Sequence, residues 1–195
     1  MTRQGSLVRL ANPRTRILNG SAALFVAHGF ENTSVEQILV ATSVARSSFY
    51  RFFANREEVL ASIIRPVFIT GQSHLDRITA RNARGVLHGI FATYLDLWAS
   101  GPDALRLSTR TGGVHFELFR DLHMPFREKI TALLRLIESE GSLLNASAEL
   151  TARLIARTAV PVLEVYHRDP RFESLFRATM GGLLLRPQVA PGPWP

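Results

Sequence analysis

Residues 29–60 read GFENTSVEQILVATSVARSSFYRFFANREEVL, and the fold is decided by how this stretch is punctuated. Gly29 follows a helical run in which Ile17, Leu18, Ala22 and Phe25 share one face, so it stands where helices commonly stop. Thr33-Ser34 supplies a capping hydroxyl, with Glu36 and Gln37 in the first turn behind it, and Val35, Ile38, Leu39 and Thr42 form a stripe two turns long. A break at Thr42-Ser43-Val44 separates this short helix from another, Ala45 to Phe53. Asn55 then caps a fourth, with Glu57 and Glu58 where the helix dipole favours anions. Two short helices joined by a tight turn and braced by a preceding helix make a helix-turn-helix.

The distribution of side chains on the 45–53 segment indicates what it faces. Phe49 and Phe53 are spaced i, i+4 and anchor it inward, which leaves Arg46, Ser47, Tyr50 and Arg51 on or near the outward side. An arginine and hydroxyl face on a helix of this size suits the major groove of duplex DNA. Arg46 is the candidate base reader, because a guanidinium binds guanine bidentately; Ser47, Ser48 and Arg51 come next. Arg3, Arg9, Arg14 and Arg16 are candidates for an arm on the phosphates or in the minor groove.

Outward from this motif the periodicity stays helical. Long helices are expected over about 55–81, bent at Pro66, and 84–99; a short one over 102–110; then 114–140, kinked at Pro125, 147–167 and 170–185. The expectation is an all-α chain of nine helices, with an arm and helix-turn-helix domain over 1–54, a helical domain over 55–186 and a tail over 187–195 too proline-rich to fold. Residues 87–98 carry the stripe Phe91, Tyr94 and Trp98, and the next long helix carries Phe116, Phe119 and Met124. Such stripes are ordinarily core, but bulky aromatics with polar tips also line ligand cavities, so these six are the candidate effector contacts.

Composition narrows the classes further. The chain has 195 residues, 46% hydrophobic and 20% charged, with formal net charge +7. Residues 1–65 hold eight arginines against four acids, which favours an anionic partner. Zero cysteines exclude disulfides and thiolate chemistry. The first residues carry charge without an apolar run, and no stretch reaches the ~20 apolar residues of a membrane span, so a cytoplasmic protein is expected. His115 and His123 lie eight apart around Glu117 and Asp121, a spacing that makes no metal-binding pair. No nucleophile triad or glycine-rich phosphate loop stands out. Neither a cofactor nor an enzymatic activity is expected.

The segment resembles the DNA-binding region of the tetracycline-repressor (TetR) family. Gly29-Phe30, Thr33-Ser34, Ile38, Val44, Phe49-Tyr50, Phe52-Phe53 and Arg56-Glu57 fall at the positions of that family's signature. The resemblance implies phosphate contacts by Thr33, Ser34, Tyr50 and Arg56, and an effector cavity among the fourth, fifth, seventh and eighth helices. It also implies a homodimer in which the last two helices of each chain pair across a two-fold axis. The candidate interface is then Leu150, Leu154, Phe172, Leu175, Phe176, Thr179 and Leu183, which otherwise read as packing within one subunit.

The expectation that results is a ligand-responsive regulator, a repressor by default, binding palindromic operator DNA and a small hydrophobic or amphipathic effector, without a membrane partner. Three departures mark the pattern. Ser43 stands in place of the turn glycine, at a cost on the order of 1 kcal/mol if its φ is positive. Ala45 lacks a capping side chain, worth ~1 kcal/mol, and Ser47 replaces a glycine. They are the support for the rival reading, a helical small-molecule-binding protein or enzyme whose helix-turn-helix no longer binds DNA.

Overall fold

A computed structural model describes residues 12–110 and 117–187. The expectations for Arg3, Arg9, His115, Phe116 and the tail from residue 188 lie outside the described residues. Among the described residues there are nine helices: α1 (Pro13–His28), α2 (Val35–Thr42), α3 (Arg46–Phe52), α4 (Arg56–Asp76), α5 (Ala83–Ser100), α6 (Pro102–Arg110), α7 (Arg120–Glu138), α8 (Ala148–Tyr166) and α9 (Phe172–Leu184). The only strand-like feature among them is a single antiparallel bridge between Leu143 and Leu185. No described helix is long and apolar enough to cross a membrane.

The helix boundaries follow from local chemistry. Asn12, Ser34, Asn55, Asn82 and Ser147 each cap a helix by accepting from a backbone N–H in the first turn. At Ser34 the cap is reciprocal, because the Gln37 side chain accepts from the Ser34 N–H at 2.7 Å. Helix α4 runs through Pro66 and stops at Asp76, earlier than the sequence pattern indicates. The N–H groups of Arg77 and Ile78 reach back only three residues, to His74 and Leu75, which tightens and ends the last turn. Ile78 then packs against Gly89 of α5, where an added Cβ would lie 2.7 Å from its side chain.

Helices α1–α3 enclose a core of Ile17, Phe25, Phe30, Ile38, Val44, Phe49 and Phe53. Burying a phenylalanine contributes roughly 1.5–3 kcal/mol, so Phe49 and Phe53 are the main anchors of the seven-residue α3. Gly20 is needed where α1 crosses α2, since a Cβ there would lie 2.4 Å from Cγ2 of Thr42. Helix α4 packs against α1, α5, α6 and α7; α7 and α9 both pack on α8, and α6 reaches from α1 to α8. The Leu143–Leu185 bridge, with the Leu144 N–H donating to the Leu184 carbonyl at 2.9 Å, ties the end of α9 to the α7–α8 connection.

Candidate nucleic-acid interface and effector cavity

The outward face of α3 is built by what lies beneath it. Phe49 is fully buried, and the Tyr50 ring meets it edge-on at 5.3 Å while staying 48% exposed. Arg46, Ser47 and Arg51 are exposed beside it, Ser48 is half-buried, and the Arg51 guanidinium lies over the Phe52 ring. Arg46 donates from Nη2 to Oε1 of Glu36 at 2.6 Å, with both side chains exposed. Backbone hydrogen bonding at the start of α2, and then the Arg46 guanidinium, hold the Glu36 carboxyl below the usual carboxylate range.

The turn between α2 and α3 carries the strain expected of it. Ser43 adopts φ 50° and ψ 42°, the left-handed conformation for which glycine is favoured. Its N–H caps α2 by donating to the carbonyls of Leu39 and Val40. Arg16 of α1 offsets the strain by donating from one guanidinium nitrogen to the carbonyls of Thr42 and Ser43. Ala45 supplies no side-chain cap to α3.

Three of the candidate arginines and one threonine make contacts within the chain. Arg16 fastens the turn, and Arg14, which is exposed, lies over the Phe53 ring at 5.5 Å. Arg56 points inward: Nη1 donates to the carbonyls of Phe30, Glu31 and Thr33 at 2.8–3.2 Å, and its guanidinium stacks on Phe30 at 4.6 Å. It latches the start of α4 to the α1–α2 connection. Thr33 is 1% exposed and its hydroxyl donates to the Gly29 carbonyl at 2.8 Å, so as placed it presents no hydroxyl to a phosphate. Ser34 remains exposed, its hydroxyl accepting from the Gln37 N–H.

A cavity of about 240 Å³ lies among α4, α5, α6, α7 and α8. Phe68, Tyr94 and Phe126 form its aromatic wall, with Phe68 and Phe126 edge-on at 5.8 Å and Tyr94 and Phe126 at 6.4 Å. His123, Arg127, Ser108 and Thr109 add polar groups. Gly71 on α4 makes room for this wall, since a Cβ there would stand 2.6 Å from the Phe126 ring. Burial pushes the Tyr94 phenol up, so it stays protonated. Burial, and then the Arg127 charge, push the His123 imidazole below its ordinary value.

Of the expected effector contacts among the described residues, only Tyr94 lines this cavity. Phe91 turns toward α9 and meets Phe176 edge-on at 5.8 Å. Trp98 is enclosed by His167 at 5.7 Å and the Arg106 guanidinium at 4.5 Å. Phe119 is buried at the start of α7, and Met124 lines a neighbouring surface groove with Glu128, Thr131, Arg135 and Glu149. Phe68 lies on α4 and His123, Phe126 and Arg127 on α7, and only the packing of the two helices, which the sequence does not signal, brings them together.

The expected interface residues separate in the same way. Phe176 is fully buried within the chain against Phe91, and Leu154, Phe172 and Leu183 pack on the core. Leu150 and Thr179 are exposed and Leu175 half-buried, and Val165, which the helical stripes do not single out, is 74% exposed on α8.

The sequence profile of bacterial regulatory proteins of the tetR family matches residues 17–63, from α1 through the first turns of α4. The HTH-type transcriptional regulator TcmR of Streptomyces glaucescens is 29% identical over 126 residues, 57% of this chain. That alignment spans 54% of TcmR, so the chain covers about half the length of the curated relative it matches. The ketosteroid transcriptional regulator KstR2 of Mycobacterium tuberculosis shares the fold with TM-score 0.70 at 19% identity, over 91% of this chain and 97% of that one. The SmeT–triclosan complex superposes with TM-score 0.59 at 21% identity, over 94% of this chain and 99% of that one; SmeT is the repressor of a Stenotrophomonas maltophilia multidrug efflux pump. The N-terminal segment thus carries the DNA-binding motif of the tetR family of bacterial regulatory proteins, and the whole chain shares the all-helical fold of these solved structures.

Proposed function

We propose that the chain is a homodimeric transcriptional repressor that binds two-fold-symmetric operator DNA through α3 and releases it when a small molecule fills the cavity. The observation that carries the DNA reading is the exposed Arg46, Ser47, Tyr50 and Arg51 face on a helix pinned from below by Phe49 and Phe53. On this reading Arg46 and Arg51 address base edges, Ser47 and Ser48 add short hydrogen bonds, and Tyr50 and Ser34 hold phosphates. Thr33, Arg16 and Arg56 position the motif rather than touch DNA. The Arg16 bonds brace the turn at Ser43, one of the three departures that support a helix-turn-helix without function.

Ligand sensing draws support from the course of α6. Leu105, Ser108 and Thr109 of this helix line the cavity, while Pro102, Asp103 and Ala104 border a groove with Leu18, Asn19 and Ala22 of α1 and Ser62 and Ile63 of α4. A molecule that displaces the cavity end of α6 therefore shifts the two helices that carry the DNA-reading unit. The effector acts only through its preference for that shifted arrangement; coupling of about 1–3 kcal/mol changes operator affinity ~5–150-fold. Dimerisation is assigned to the exposed side of α8 and α9, around Leu150, Val165, Leu175 and Thr179.

The test is a gel shift of the full chain on DNA selected by it from a random pool, repeated with a library of small organic molecules. Retarded DNA with an inverted repeat, released by some of these molecules, supports the reading. Absence of any sequence-selective complex contradicts it. Ala152 and Ala156 line the cavity, so Ala152→Phe or Ala156→Phe should fill it and abolish release while leaving the complex intact.

A further inference from the structure

The cavity has one charged wall, and from it we infer that the effector is a compact aromatic acid whose anionic group binds Arg127 in exchange for Glu149. The inference rests on the sensing role proposed above and names the chemical class that role requires.

Arg127 is the one ionised side chain among the described lining residues, and no carboxylate lines the cavity with it. A cationic ligand would meet Arg127 with no carboxylate in the lining to balance its own charge, which an enclosed apolar site penalises heavily. A neutral apolar ligand would leave Arg127 as it is and gain nothing from it. An anion finds a guanidinium fork at the edge of an apolar chamber, the arrangement in which Arg–carboxylate bonds are strongest.

The exchange leaves no charge stranded. Arg127 donates from Nη2 to Oε1 of Glu149 across the α7–α8 contact. That same oxygen lies 3.4 Å from Nε of Arg153, one turn further along α8, and the Glu149 side chain is 40% exposed. When Arg127 turns to a ligand, Glu149 keeps a cationic partner and water. Around Glu149 two arginines face one carboxylate. The α7–α8 pair is thus built with a spare cation.

Size and shape fix the remainder of the molecule. About 240 Å³ falls below the ~300–1,000 Å³ typical of drug-sized sites and suits one or two rings. Phe68 and Tyr94 each stand edge-on to Phe126, so a flat ring meets aromatic edges and faces in the preferred geometries. The Tyr94 phenol, kept protonated by burial, is a donor. Ser108 and Thr109 already donate to the carbonyls of Leu105 and Arg106, so their oxygens face a ligand as acceptors.

The experiment compares 2-naphthoate with its neutral counterpart 2-naphthamide by titration calorimetry on the full-length protein. Wild type should bind the acid at least about tenfold more tightly. Arg127→Met should erase that preference while retaining the amide's affinity. Glu149→Gln removes the competing carboxylate and should strengthen binding of the acid; this variant keeps the test open if Arg127→Met does not fold. Equal affinities in wild type, or a preference that survives Arg127→Met, overturns the acid class while leaving the cavity as a sensor. Binding of neither probe also overturns the acid class, and the operator-release screen then judges the sensing role separately.

Discussion

Nη2 of Arg46, at the start of α3, lies 2.6 Å from Oε1 of Glu36 in the first turn of α2, with both side chains open to solvent. Exposed ion pairs hold weakly, so DNA can take Arg46 from Glu36 at little cost. Arg46→Ala should then cost about 1–3 kcal/mol at one operator position and relax specificity there. Glu36→Gln should raise affinity for all DNA by freeing Arg46 and removing a negative charge beside the phosphates. Anisotropy titrations on operator and single-substituted operators check both; an unchanged base preference in Arg46→Ala rules it out as a base reader.

The strained turn makes the second prediction. Ser43→Gly should stabilise the fold by up to about 1 kcal/mol, because glycine adopts the positive φ without a Cβ penalty. Arg16→Ala should do the opposite, by removing the bonds to the Thr42 and Ser43 carbonyls. Urea unfolding of the two variants and their combination checks this. If Arg16 braces the strain, its loss should matter less once Ser43→Gly has relieved it.

Assembly gives a third. Phe176→Glu would bury a charge against Phe91 and unfold the chain, so it cannot report on dimerisation. Val165→Glu with Leu175→Glu should instead give folded monomers, since Val165 is exposed and Leu175 half-buried. Sedimentation equilibrium of a folded double variant distinguishes the outcomes; an unaltered dimer would place the interface elsewhere.

Acid sensitivity gives the fourth. His123 and His88 are both held below their ordinary value of 6.5, in each case mainly by burial, then by Arg127 at His123 and by Arg177 and Arg84 at His88. Below about pH 6.5 the unfolded chain therefore takes up protons that the folded chain does not. Stability should fall with acidification from that pH until the folded imidazoles themselves protonate. His123→Gln should flatten the fall, as measured by urea midpoints across that range; an identical slope would show that His123 does not contribute.

Much of the fold is legible in the sequence because it is local. Gly29, Ser34, Asn55 and the Phe49–Phe53 pair each determine their own neighbourhood, and the structure has helices where their spacing requires. The direction in which long polar side chains point is not legible. Arg16 and Arg56 look like phosphate ligands in a basic N-terminal third, but backbone carbonyls 23 to 27 residues away in sequence claim them. The cavity is hidden for the same reason: Phe91 and Tyr94 lie three residues apart on α5, yet one faces α9 and the other faces Phe126. Only the crossing of helices separates a stripe residue that packs from one that lines a void.

The central claim is that the outward face of α3 reads duplex DNA, and it is tested most directly by measuring affinity for the selected inverted repeat and for a scrambled duplex across a series of salt concentrations. Wild type should prefer the repeat by at least ~10³-fold and lose affinity steeply as salt rises. Replacing Arg46, Tyr50 and Arg51 together by alanine should abolish the preference and flatten the salt dependence, with the fold retained because Phe49 and Phe53 are untouched. A triple variant that still prefers the repeat as wild type does, or a wild type that binds both duplexes alike, would contradict the account.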